Sequence, residues 1–464
     1  MACAGYLFTF TLLKKVILHP LMQRFTGLIG IVLILGVAFL FSNNKRKVNI
    51  RLVISGLALQ VFIAILVFKV PFVNQAFQSL GKGMEKIEGF AKQGANFVFG
   101  GLLAQDYAGA AVNFSAAGTF VFAINVTATI ILVTVLVAVL YYLGIMQRIV
   151  AAIARAMNFV MRVSGAEALS NVASAFVGQV EAQVMIRPYL PTMTRSELLA
   201  SMSGSLACIA GGILIVYANM GARAGMDIAP QLIAASLMAA PGALVISKIV
   251  FPETEPSQTM GKVKMEVKSG YSNLIDAISH GAGDGFKIAS NVIAMLIGFI
   301  ALIAMLDWLL LKLGGLWGMG EAVRFTLPYL NGDALSFQVP ATPPLSLNYI
   351  FSKIFYPFAW AMGIPGQDVA NAATLLGQKI TINEFVAFKS LTDKTVPVLT
   401  QKGLTIVTVA ICGFANFSSV GMQIGGIGAL APERRTDLAR LGMKALLCGT
   451  LASYLSATIA GMLF

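Results

Sequence analysis

Eight long apolar runs, at 26–42, 52–70, 119–146, 197–220, 228–250, 286–312, 401–424 and 440–464, constrain this chain more than any other feature. About 20 apolar residues cross a bilayer as a helix, and lipid tolerates no exposed backbone that is not internally hydrogen-bonded. The runs therefore predict an all-α polytopic membrane protein with eight transmembrane helices. Composition agrees, with 57% hydrophobic and 11% charged residues and a mean hydropathy of +0.81, whereas soluble domains carry about 25% charged residues. Two histidines (His19 and His280) and four scattered cysteines (Cys3, Cys208, Cys412, Cys448) offer no metal-ligand or disulfide spacing. The net charge of +13 reads as the Lys/Arg excess of cytoplasmic loops, not as affinity for nucleic acid.

Two short basic loops orient the runs. Lys45, Arg46, Lys47 and Arg51 lie between the first two, and Arg434, Arg435 and Arg440 between the last two. Placing both in the cytoplasm requires an even number of crossings between them, as the count supplies. Segment 251–285, with Lys262, Lys264 and Lys268, then falls inside and both termini outside. Residues 1–21, interrupted by Lys14, Lys15 and Pro20, read as an upstream segment without a role, and Met22 as the functional start.

Four segments are neither loop nor span. Residues 74–93 alternate charged and apolar residues at helical spacing, as a surface amphipathic helix does. Residues 147–163 carry Arg148, Arg155 and Arg162 close to one face, which predicts an interfacial helix. Residues 164–188 and 365–394 are too short to cross and are broken in the middle by Gly-Gln, with a Glu following. They read as re-entrant hairpins.

The two hairpins belong to a repeat. Gly178-Gln179-Val180-Glu181 is followed about thirty residues later by a span interrupted at Ala207-Cys208-Ile209-Ala210-Gly211-Gly212. Gly377-Gln378 and Glu384 are followed at similar distance by Cys412-Gly413-Phe414-Ala415-Asn416-Phe417-Ser418-Ser419. One hairpin enters from the cytoplasm and one from outside. Such an inverted repeat puts a transporter's site near the bilayer midplane, where broken helices free backbone groups for a ligand. Carboxylates at that depth are costly and mark function, so Glu181 and Glu384 are the leading site candidates. With Gln179 and Asn416 as amide partners, they suit an uncharged, polyhydroxylated ligand with an amide-like edge. A multi-anionic ligand fits poorly, because Lys379 is the only cation beside either Gly-Gln.

Plainer readings stand beside these. Lys379 can simply neutralise Glu384, Gly377 can serve close helix packing, and Ser418 and Ser419 can bond their own helix. Phe414 can be packing alone. Asp284 and Lys287, three residues apart, read as a local ion pair, and Glu433 beside Arg434 as a solvated turn.

The motifs Gly178-Gln179-Val180-Glu181, Ile382-Asn383-Glu384-Phe385-Val386-Ala387 and Cys412 to Ser419 resemble the signatures of the concentrative nucleoside transporters. Gly425-Gly426-Ile427-Gly428 with Ala431-Pro432-Glu433-Arg434-Arg435 extends the likeness, which runs from about Thr26 to the end. The resemblance implies a homotrimer in the inner membrane whose protomers pair a scaffold with a mobile transport part. It assigns the base to Gln179 and Glu181, the ribose to Glu384, Asn416 and Ser419, and pocket walls to Phe414 and Ile213. Val180 stands where the family often has a hydroxyl residue, which leaves purine-versus-pyrimidine choice open. Sodium-coupled members use an Asn, a carbonyl and a hydroxyl where this chain has Ser174, Val177 and Cys208, followed by Ile209. A thiol is a poor sodium ligand, so proton coupling through Glu181 or Glu384 stands as the alternative to sodium.

By this reading 1–25 is an N-terminal extension, and 26–146 holds scaffold helices. Residues 147–250 hold the interfacial helix, the first hairpin and two transport helices. Residues 251–364 hold a cytoplasmic loop, the sixth span and an external amphipathic segment, and 365–464 the second hairpin and two transport helices. The expected function is cation-coupled nucleoside symport, with no cofactor beyond the coupling ion, proton or sodium. The alternative is the same architecture carrying another small polar solute, such as a free nucleobase. An intramembrane enzyme built on the two Glu is disfavoured, because no nucleophile, metal set or phosphate loop accompanies them.

Overall fold

Several of the described helices start on short polar caps, which satisfy amide groups a helix leaves free. The computed structural model describes residues 20–99, 122–260, 271–317, 319, 324–328, 334–338, 344–392 and 399–463. Residues 1–19 and the loop lysines 262, 264 and 268 lie outside the described residues. The helices α1 (Pro20–Leu40), α2 (Ile50–Lys69) and α3 (Pro71–Phe99) come first. Asn49 caps α2, accepting from Leu52 N at 3.2 Å, and α3 contains the expected amphipathic stretch.

The helix α4 (Phe122–Tyr142) is followed by α5 (Ile145–Met161) at a bend of 78°. Gly144 makes the corner at φ +73°, a conformation open to glycine without strain. On α5, Met146, Val150, Ala154, Met157 and Met161 are buried on one face, while Arg148 and Arg155 are exposed. This is the pattern of a helix lying in an interface.

Next come α6 (Gly165–Ser174), α7 (Glu181–Val184), α8 (Arg195–Ala207), α9 (Gly211–Arg223) and α10 (Ala229–Val250). Capping boxes open α6 (Ser164 with Glu167) and α8 (Thr194 with Glu197), each satisfying two free amides reciprocally. The sixth long helix, α11 (Leu274–Leu316), has 43 residues and extends roughly 65 Å at about 1.5 Å per residue. It starts well before the expected 286. Its first turns fall in the segment read as cytoplasmic loop, where Asn273 caps it at Asp276 N, 2.9 Å. Gly281 and Gly285 let it touch α4, since a Cβ on either would come within 3 Å of an α4 Cα. Asp284 and Lys287 do pair, at 3.8 Å.

A two-stranded antiparallel hairpin, β1 (Arg324–Pro328) with β2 (Ala334–Gln338), pairs Thr326 with Ser336. It occupies part of the segment read as external and amphipathic. The remainder is helical: α12 (Leu347–Ile354), α13 (Tyr356–Ala361), α14 (Val369–Thr381), α15 (Glu384–Leu391), α16 (Gln401–Ile411), α17 (Phe417–Leu430) and α18 (Arg435–Met462). The core gathers around α10 and α18, whose interiors are almost wholly buried. Gln60 of α2 ties them, donating to Met238 O and Ser456 Oγ at 3.0 Å each.

Both basic loops sit at one end of the bundle. Asn43 N donates to Val250 O at 2.9 Å, and Lys444 Nζ donates to Asn43 Oδ1 at 2.6 Å. Arg434, in the turn read as solvated, instead clasps the 190–193 loop. Its Nη1 donates to Leu190 O, Pro191 O and Met193 O at 3.2, 3.1 and 2.6 Å, and its Nε to Asp437 at 3.2 Å. A lysine lacks this planar fork. Arg434→Lys is expected to cost about 1–3 kcal/mol, read as a lower Tm of the purified protein; an unchanged Tm would show the clasp to be idle.

Candidate functional site

Each half of the repeat delivers a carboxylate at the start of a short helix. In the first hairpin the chain leaves α6 and turns at Gly178, whose φ of +114° is a glycine conformation. A Cβ there would lie 2.6 Å from Glu181 Oε2, so the carboxylate folds back over the turn. Glu181 opens α7, where negative charge meets the helix's positive end.

The second hairpin breaks elsewhere than expected. Gly377-Gln378 lies inside α14, and the turn comes at Ile382-Asn383. Asn383 caps α15 through Val386 N at 2.9 Å, and Glu384 is its first residue. Gly377 serves packing, since a Cβ there would run into Phe351 of α12. Gln378 is turned away, donating to Asn348 Oδ1 at 2.9 Å.

The two broken spans meet at their breaks. Phe414 N, between α16 and α17, donates to Cys208 O, between α8 and α9, at 3.2 Å. A Cβ on Gly413 would enter the Ala207 carbonyl. Asn416 caps α17, its Oδ1 accepting from Ser419 N at 2.8 Å, which aims its Nδ2 at Glu384 Oε2, 2.9 Å away.

A cavity of about 750 Å³ opens where these elements converge. Gln179, Val180 and Glu181 from the first hairpin line it, with Ile213 from α9. Glu384, Phe414, Asn416 and Ser419 line it from the second half. The structure thus brings all eight into one chamber, of a volume usual for small-ligand sites. Tyr217, unremarked in the sequence, lies there too. Its Oη donates to Glu384 Oε1 at 3.2 Å, and its ring stacks on Phe388 at 4.3 Å. An aromatic in an apolar span carries no sequence signal for such a role.

Gln179 Oε1 has no hydrogen-bond partner among the described residues, and its Nε2 reaches only Met422 Sδ at 3.9 Å. Each Glu384 oxygen accepts one side-chain donor, Tyr217 on Oε1 and Asn416 on Oε2, of about four lone-pair sites that a carboxylate has. Tyr141, His280 and Asp284 from α4 and α11 line it as well. Among the described lining residues the formal charges are those of Glu181, Asp284 and Glu384, and none is Lys or Arg.

The positions considered for a coupling ion are less open. Val177 lines the cavity. Ser174, Cys208 and Ile209 are buried behind it. Ser174 Oγ lies 2.7 Å from Ser170 O and 2.8 Å from Ser205 Oγ, which accepts from Gln183 Nε2 at 2.8 Å. Cys208 Sγ faces Asn171 O at 3.8 Å, and its carbonyl is taken by Phe414 N. Ser174 and Cys208 are therefore engaged within the protein.

Family models describe most of the chain. The model "Na+ dependent nucleoside transporter C-terminus" matches residues 231–461, and its N-terminal counterpart matches 29–102. A "nucleoside recognition" gate model matches 123–224. An uncharacterized transporter of Haemophilus influenzae is 39% identical over 447 residues, 95% of this chain and 98% of that one. Nucleoside permease NupC of Helicobacter pylori is 37% identical over 440 residues, covering 94% and 97%. The structure of CNTnw in an inward-facing, substrate-bound state superposes with a TM-score of 0.82 at 36% identity, covering 95% of this chain and 97% of that one.

Proposed function

The chain belongs to the concentrative nucleoside transporter family, and we propose from that premise that it imports nucleosides by cation-coupled symport with alternating access. It is a transporter and not an enzyme. The observation that carries the substrate reading is the Glu384–Asn416 contact at 2.9 Å across hairpin and broken span. A carboxylate so fixed accepts two hydrogen bonds from vicinal ribose hydroxyls, and charged acceptors make these the strong ones. Ser419 stands beside them on the same cavity wall. Gln179, also in the lining, has an unpartnered amide oxygen and an N–H₂ with only a long sulfur contact, a pair suited to a base edge. Glu181 accepts base N–H groups, while Phe414 and Ile213 supply apolar walls for the ring. Val180 contributes no hydroxyl, so base choice rests on Gln179 and Glu181. The acidic lining suits an uncharged ligand.

For the coupling ion we favour the proton. Sodium wants hard oxygen ligands; here Ser174 is engaged by Ser170 and Ser205, and a thiol stands at Cys208. Glu181, the membrane carboxylate of the first hairpin, would carry the proton, which leaves Glu384 ionised for the ribose. The protomer assembles as a homotrimer in the inner, plasma membrane, with the shared end of the basic loops in the cytoplasm and both termini outside. The hairpins and broken helices of 147–250 and 365–464 move against the scaffold of 26–146 and 251–364.

Uptake of labelled uridine and adenosine into proteoliposomes, with sodium and proton gradients imposed separately, tests this. One proton per nucleoside and one pH unit support about tenfold accumulation at equilibrium. A protonophore should abolish it, and sodium replacement should leave it unchanged. Strict dependence on sodium would overturn the coupling assignment alone. No uptake under either gradient, or equal uptake of free bases, would overturn the substrate reading.

A further inference from the structure

Lys379 is fully buried in α14, the first arm of the second hairpin. Its Nζ has no hydrogen-bond acceptor among the described residues. The Tyr454 ring of α18 lies beneath it, its centroid 5.9 Å away. An ammonium sealed at membrane depth without an acceptor is among the most expensive things a chain can build, so it needs a compensating charge. Glu384, five residues on and across the Ile382-Asn383 turn, lies within electrostatic reach. The other titratable groups facing the pair are Tyr217 from α9, Cys412 from the end of α16 and Tyr454 from α18. None of these carries a formal charge in its ordinary state. Lys379 and Glu384 are thus the two formal charges here, and they form no contact ion pair.

The arrangement is one-sided. Glu384 faces the cavity with Tyr217 and Asn416 on its oxygens, while Lys379 is shut away behind it and lines no part of the chamber. We infer that Lys379 is a positioning residue for ribose recognition: its ammonium, walled off behind the second hairpin's tip, is the fixed counter-charge that keeps Glu384 an ionised acceptor facing the ligand. An uncompensated carboxyl at this depth takes a proton instead of staying charged, and a neutral carboxyl offers one oxygen fewer to two hydroxyls. Because the counter-charge is tethered and never touches solute, it competes with no hydroxyl for the lone pairs. The inference rests on the proposed nucleoside reading and adds a residue that does not touch the ligand.

The test is equilibrium binding of uridine and 2′,3′-dideoxyuridine to the purified full chain, for the parent, Lys379→Met, E384Q and the double variant. Methionine keeps an unbranched stem in the packed site and removes the charge. The parent should favour uridine strongly. Lys379→Met should weaken uridine binding on the order of 100-fold while leaving dideoxyuridine binding near the parent's, so that the preference collapses. Its uridine binding should then rise as pH is raised from about 6 to about 8, a gain absent from the parent. In the E384Q background the same substitution should cost uridine binding no more than a few-fold. Loss of both ligands to the same extent, a preference kept at the parent's value, or a full additional loss in the E384Q background would overturn the inference. A parent that binds neither ligand would overturn the nucleoside reading itself, so the two failures are distinguishable.

Discussion

E384Q is expected to reduce ribonucleoside uptake by roughly 100-fold or more, with uptake of 2′,3′-dideoxynucleosides nearly unchanged. Each hydrogen bond to a charged acceptor contributes about 1.5–3 kcal/mol, and the proposed ribose contact uses two. The substitution also creates a local conflict. Asn416 Nδ2 and Tyr217 Oη both donate to Glu384, so one of them must face an amide N–H₂ in place of an oxygen. A buried site built around hydroxyl partners discriminates steeply for this reason, because its own groups are left unpaired. The measurement is KM and maximal rate for matched ribo- and dideoxynucleosides in proteoliposomes. If E384Q handles uridine as the parent does, the ribose assignment is wrong.

The second large effect is expected at Gly413. A Cβ there would enter the Ala207 carbonyl and stand 2.9 Å from Ser453 Oγ. The obstacle is backbone, which cannot rotate away as a side-chain tip can. The same junction carries the Phe414 N to Cys208 O bond at 3.2 Å, so Gly413→Ala must part the two breaks. Overpacking of this kind costs about 1–3 kcal/mol, and displacing Phe414 and Asn416 together should lower uptake at least tenfold. Gly421→Ala on α17 is the control, since a Cβ there meets nothing within 4 Å. Adding alanine inside a helix should be neutral or stabilise by about 0.5–1 kcal/mol. Thermal melting with parallel uptake reads both; a Gly413→Ala protein indistinguishable from Gly421→Ala would remove the crossing from the argument.

What the sequence disclosed followed from cost. Broken backbone and carboxylates are so unfavourable in lipid that their presence at 178–181, 207–212 and 412–419 pointed to a ligand site, and the structure brings residues of each stretch to a single cavity. Ambiguity entered where one residue type serves two ends. Gly377 looked like a break, yet it is helical and makes room for Phe351; a glycine reports closeness or freedom and does not say which. Asn383 before Glu384 was the better mark of the turn, because asparagine caps helices. The polar start of α11 concealed a helix whose packing depends on Gly281 and Gly285 meeting α4, a contact that exists only in three dimensions. Tyr217 was hidden for the same reason. Arg434 was misjudged because its three carbonyl partners lie more than two hundred positions away.

The charge pattern of the cavity wall has a consequence on the far side of the membrane. Glu181, Asp284 and Glu384 line the chamber without a Lys or Arg among its described walls. A carrier that grips its cargo with the same residues in either orientation also returns it whenever the gradient falls. Cargo that acquires negative charge after entry meets an acidic wall that repels it, so this chamber returns the uncharged form and not the charged one.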